Sequence, residues 1–81
     1  MTPAEFSRGA LLELAHTRMP YGKYQGRYLT DLPLPYLVWF RQRGFPKGKL
    51  GQLLESALAV KENGLEALIS KIRKEFPRHS P

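Results

Sequence analysis

The chain has 81 residues, the size of one small domain. With 42% hydrophobic and 25% charged residues it is globular rather than disordered, and with no cysteine it has neither a disulfide framework nor thiolate chemistry. No apolar run approaches the roughly 20 residues of a membrane span, and the net charge of +6 points to a polyanionic partner.

That charge is unevenly placed. Residues 1–20 are balanced, and residues 50–81 carry five basic side chains against four acidic ones. Residues 21–49 carry Lys23, Arg27, Arg41, Arg43, Lys47 and Lys49 against Asp31 alone, a net of +5. A charge block is also what an ordinary solvated face looks like. Glu5 and Arg8 interrupt any signal-peptide pattern, so a reducing, cytoplasmic setting is expected, without a membrane.

The first element is a helix over 2–17. Thr2-Pro3-Ala4-Glu5 reads as a capping box with proline in the first turn. Phe6, Ala10, Leu11, Leu14 and Ala15 follow at helical spacing. Residues 19–29, MPYGKYQGRYL, do not suit a helix. Pro20, Gly22 and Gly26 break it, and Tyr21, Tyr24 and Tyr28 favour extended backbone. A short β-hairpin, 19–22 against 27–29 with a turn over Lys23–Gly26, is the economical reading.

Asp31-Leu32-Pro33-Leu34-Pro35 leads into a second helix near 34–43. Leu34, Tyr36, Leu37, Val38, Trp39 and Phe40 are apolar almost all round, which predicts a buried central helix carrying Trp39 in the core. Gly44 ends it, with Arg41 and Arg43 in its last turn. After the Phe45–Lys49 loop, Leu50, Leu53, Leu54, Ala57, Leu58 and Lys61 mark a third helix near 48–62. Asn63-Gly64 stops it, and Asn63 with Glu66 reads as the cap of a fourth helix near 65–76. Leu65, Leu68, Ile69, Ile72 and Phe76 form that helix's apolar face, and residues 77–81 form a frayed tail. The expected fold is one mainly α domain over 1–81, ordered α-β-β-α-α-α, with a small hairpin and four helices around the Trp-bearing helix.

Catalytic patterns are missing. The chain has two histidines, His16 and His79, and a histidine at a helix C-terminus ordinarily complements the helix dipole. Asp31 reads as a turn residue, the serines lack a nucleophile-elbow pattern, and no metal-ligand spacing occurs. Gly22-Lys23 and Gly48-Lys49 lack the frame of a phosphate loop. The expectation is no enzyme, no cofactor and no metal.

What remains is basic residues interleaved with aromatics. Single-stranded nucleic acid is held by cationic grooves with aromatic platforms for the bases. Lys23, Tyr24, Arg27, Arg43, Lys47 and Lys49 are the candidate contacts to DNA or RNA. Two alternatives stay open. Tyr21 and Tyr28 suit a core position with wet hydroxyls, and the charged loops equally suit an adaptor that docks an acidic protein partner.

Met19-Pro20-Tyr21-Gly22-Lys23-Tyr24-Gln25-Gly26-Arg27, followed by Leu29, Leu32-Pro33, Tyr36-Leu37 and Trp39-Phe40, resembles a small bacterial family described as putative quorum-sensing-regulated virulence factors. A similar segment is appended to exonucleases of the DNA polymerase III epsilon type. The resemblance covers residues 19–40 closely, extends loosely through the later helices, and leaves out the helix at 2–17. It implies a small helical domain with a hairpin, a link to quorum-sensing-regulated virulence and DNA-associated work. Within the motif, Met19, Pro20, Gly22, Gly26, Tyr36, Leu37 and Trp39 are read as structural.

Overall fold

The computed structural model describes residues 8–76. Four α-helices follow in order: α1 over Arg8–His16, α2 over Leu34–Arg43, α3 over Lys49–Glu62 and α4 over Glu66–Glu75. A 3₁₀ turn, Leu29–Asp31, precedes α2. The proposed capping box at Thr2 to Glu5 and the tail at 77–81 lie outside the described residues.

Helix α3 is the centre of the molecule. It is rich in strong helix formers, and Gly51, Leu53, Leu54, Ala57, Leu58 and Val60 are all buried along it. It packs against α2, α1 and the 3₁₀ turn, while α1 also packs on α4. Leu14 and Ala15 of α1, Met19, Leu29, Leu32, Leu37 of α2 and Ile69 of α4 complete the core. The α3–α4 corner is a Schellman motif. The Gly64 amide donates to the Lys61 carbonyl and the Leu65 amide to the Val60 carbonyl, with Leu65 packed on the core. Asn63 belongs to the end of α3, where Nδ2 donates to the Ala59 carbonyl at 2.8 Å; it does not cap α4, which starts without a side-chain cap.

The structure corrects the expected hairpin. Among the described residues there is no strand, only an isolated antiparallel bridge between Arg18 and Tyr28. The order is therefore α, loop, 3₁₀ turn, α, α, α rather than α-β-β-α-α-α. Two overlapping turns consume the would-be strands, with Gln25 N donating to Gly22 O and Arg27 N to Tyr24 O. Gly26, third in the Tyr24–Arg27 turn, has φ 90, a conformation that favours glycine. Pro20 offers no amide donor to extend a ladder. Beyond the bridge the backbone turns at once into the 3₁₀ turn, as Asp31 N donates to Tyr28 O. The loop is closed at its base instead. Met19 N donates to Arg27 O at 2.7 Å, Gly26 N to Met19 O at 2.8 Å and Leu29 N to Thr17 O at 3.0 Å.

Helix α2 runs where the sequence predicts, but it is not the buried centre. Leu37 is its one fully buried residue; Tyr36, Val38 and Phe40 are partly buried and Leu34 is exposed. Trp39, expected in the core, is 45% exposed, and Tyr21 is 48% exposed. A chain this short lacks the layers needed to surround a ten-residue helix, so one flank of an all-apolar segment stays in water. On α4, similarly, Ile69 is buried and Leu65 and Ile72 pack on the core, but Leu68 and Phe76 are exposed.

Candidate functional site

The loop after α1 and the outer flank of α2 meet in one run of aromatic rings. Tyr24 reaches from the loop to Tyr36 on α2, edge to face, with ring centroids 4.7 Å apart. Tyr36 lies nearly parallel to Trp39 at 6.2 Å and meets Phe40 edge-on at 5.2 Å. Phe40 in turn stacks with Phe45 of the following loop at 6.5 Å. Such pairs contribute about 0.5–1.5 kcal/mol each beyond the area they bury.

Cations sit over two rings of this run, Tyr24 and Trp39. The Lys23 ammonium and the Arg27 guanidinium each lie 5.5 Å from the centre of the Tyr24 ring. The Arg43 guanidinium lies 4.7 Å from the centre of Trp39. Tyr36, Trp39 and Arg43 stand at i, i+3 and i+7, which places them on one face of α2. Lys23, Arg27 and Arg43 are all exposed. Partial burial pushes the Tyr36 phenol above the usual tyrosine range, and the neighbouring Tyr21 and Tyr24 phenols add to the shift.

Of the six residues predicted from sequence, four therefore converge: Lys23, Tyr24, Arg27 and Arg43. Lys49 turns to α1, where its ammonium meets Glu13 at 3.0 Å. Lys47 stands exposed in the loop before α3, outside the ring contacts. Arg41, part of the same central charge block, pairs with Glu62 of α3 at 3.2 Å. Sequence reasoning assigned Tyr36 and Trp39 to structure alone and so missed their place on this face. The i, i+3, i+7 spacing with Arg43 was the available signal, because a charged residue on the same face marks that face as wet.

A second cluster fixes the loop from behind. The Tyr28 ring is flanked by the Arg73 guanidinium at 3.7 Å and the Arg18 guanidinium at 4.5 Å. Arg18 also donates to the Tyr28 hydroxyl at 3.1 Å and to the Gly26 carbonyl at 3.2 Å. Arg73, with its side chain only 18% exposed, donates to the Ala15 carbonyl at 2.7 Å and to the buried Thr30 hydroxyl at 3.0 Å, and lies 3.9 Å from the Asp31 carboxylate. His16 Nε2 donates to the Phe76 carbonyl at 2.8 Å, tying the last turn of α1 to the end of α4. These contacts bind elements together, and no sequence spacing announces the links from α4 to α1 and the 3₁₀ turn, because the hydrogen-bonded partners His16–Phe76, Arg73–Ala15 and Arg73–Thr30 stand 60, 58 and 43 positions apart.

Among the described residues, no helix is long and apolar enough to cross a membrane, and no group of three or more His, Asp or Glu side chains is placed to hold a metal ion.

A family profile described as putative quorum-sensing-regulated virulence factor matches residues 7–72. The chain belongs to that family, as the motif over residues 19–40 implied. The match begins at residue 7, so it takes in α1 as well, which the motif alone had left out. The chain is also similar to the proteins named Uncharacterized protein YpeB in Escherichia coli strain K12 and in Escherichia coli O157:H7. Each is 49% identical over 65 residues, spanning 79% of this chain and 90% of the relative. No solved structure matches the chain significantly.

Proposed function

We propose that this domain is a non-catalytic nucleic-acid-binding module of the cytoplasm, and that the face built from Lys23, Tyr24, Arg27, Tyr36, Trp39 and Arg43 is its contact surface. The observation that carries this reading is the continuous run from Tyr24 through Tyr36 to the half-exposed Trp39, with a cation over the ring at each end. Cations supply phosphate contacts and aromatic faces supply base contacts, which is the pairing that nucleic-acid grooves use. The excess charge of residues 21–49 supports it, and the cysteine-free composition supports the cytoplasmic setting.

The test is anisotropy of a labelled short oligonucleotide across a salt series. Each lost phosphate contact lowers the log–log salt slope by about 0.7–0.9. The combined Lys23→Ala, Arg27→Ala, Arg43→Ala variant is expected to lose about 2 from that slope and most of its low-salt affinity. Lys49→Ala is expected to leave the slope unchanged, since Glu13 already holds that ammonium. A triple variant that binds like the wild type moves the site elsewhere. A wild type that binds no oligonucleotide at low salt removes the reading and leaves the same face to an acidic protein partner.

A further inference from the structure

The chain's single tryptophan stands in an unusual position for a domain with so small a core. The Trp39 indole is touched by Tyr36 nearly parallel to it, by Phe40 edge-on at 5.2 Å and by the Arg43 guanidinium 4.7 Å from its centre, yet it remains 45% exposed. Its aromatic neighbours fix the ring's orientation. What sits over the ring from the solvent-exposed side chains of α2 is a planar cation, held by cation–π attraction, which at exposed sites amounts to about 0.5–1 kcal/mol. A flat, oriented ring lightly covered by a planar, displaceable group is a stacking site. The flat planar group of nucleic acid is an unpaired base, because paired bases in a duplex are already stacked on each other.

Resting on the nucleic-acid reading above, we infer that the preferred ligand is single-stranded, and that one unpaired base stacks on Trp39 where the Arg43 guanidinium now lies. Arg43 swings off the ring and takes the adjacent phosphate. Lys23 and Arg27 hold the backbone further along, at the Tyr24 end of the run. The chemistry is common to DNA and RNA, since every base offers a flat face and every linkage a phosphate.

Trp39 reports on its own occupancy, because no other tryptophan contributes fluorescence. The probes are a short oligothymidylate, the matching oligouridylate and a blunt DNA duplex of equal length. Single strands of either sugar are expected to quench Trp39 emission and to bind more tightly than the duplex, which leaves the emission unchanged. Trp39→Ala should weaken single-strand binding, read by labelled-strand anisotropy, by roughly tenfold to a hundredfold, with duplex binding changed by less than about twofold. Trp39→Phe, which keeps a ring on the α2 face and preserves the packing on Phe40, should retain part of the single-strand preference. Arg43→Ala should keep the quenching and lower the salt slope by about 0.7. Equal affinity for strand and duplex without quenching, or Trp39→Phe and Trp39→Ala both binding as the wild type does, overturns the stacking inference. If the Lys23, Arg27 and Arg43 variant still loses binding in that case, the broader nucleic-acid reading survives as a contact to backbone alone. If no probe binds at low salt, both fall together.

Discussion

Two helical glycines respond in opposite ways to the same methyl group. Gly51 is buried in α3, and a Cβ there would run into the Pro46 carbonyl oxygen and come within 2.9 Å of the Pro46 carbonyl carbon. The obstacle is backbone, so it has little room to yield. Gly51→Ala is expected to destabilise the fold by about 1–3 kcal/mol, as overpacked cores do. Gly9 on α1 is exposed, with nothing within 4 Å of its Cβ position among the described residues, and Gly9→Ala should stabilise by about 0.5–1 kcal/mol. Urea denaturation of the two variants checks both signs. Tyr36 makes a separate prediction. Its phenol has a pKa above the unfolded value, chiefly from burial and then from Tyr21 and Tyr24, so the folded state holds that proton more tightly. The resulting stability is fully present below about pH 10 and is lost as pH rises through the folded-state value. Melting of the wild type should therefore fall more steeply than that of Tyr36→Phe in an alkaline series; parallel curves would contradict the shift.

At the scale of elements, Arg73 is the side chain on which most of the assembly converges. It joins α4 to the last turn of α1 through Ala15, to the 3₁₀ turn through Thr30 and Asp31, and to the loop through the Tyr28 ring. Arg73→Ala leaves the buried Thr30 hydroxyl and the Ala15 carbonyl without that donor, and is expected to cost about 2–4 kcal/mol. Arg73→Lys should recover little, because a single ammonium cannot reproduce a fork of donors that also stacks on a ring. A near-native melting temperature for either variant would contradict this. The helices themselves were legible. Leucine and alanine periodicity, Pro35 in the first turn, Gly44 and Asn63-Gly64 marked α2, α3 and α4 to within a residue or so. The hairpin was not legible. Two glycines four residues apart signal a turn, but whether one turn or two overlapping ones follow depends on where Tyr24 finds a ring to pack on, and that ring, Tyr36, lies beyond the 3₁₀ turn. Trp39 was misplaced for a related reason. Local apolarity reports what a helix could bury, and the number of neighbouring layers decides what it does bury.

For the whole molecule, the sequence located the charge but not its geometry. The +5 of residues 21–49 divides on folding. Arg41 and Lys49 are drawn to acidic partners on α3 and α1, while Lys23, Arg27 and Arg43 gather along the aromatic run. The face is thereby sharper than the composition suggested, with fewer cations and more rings. The proposed nucleic-acid contact at this face and no other is tested most directly by amide chemical-shift mapping during titration with a short single-stranded oligonucleotide. The largest changes are predicted at the Lys23, Tyr24 and Arg27 amides and at the indole N–H of Trp39, and they should shrink together as salt is raised. Changes concentrated instead on α4, around Leu68 and Lys71, or an unperturbed spectrum at low salt, would contradict it.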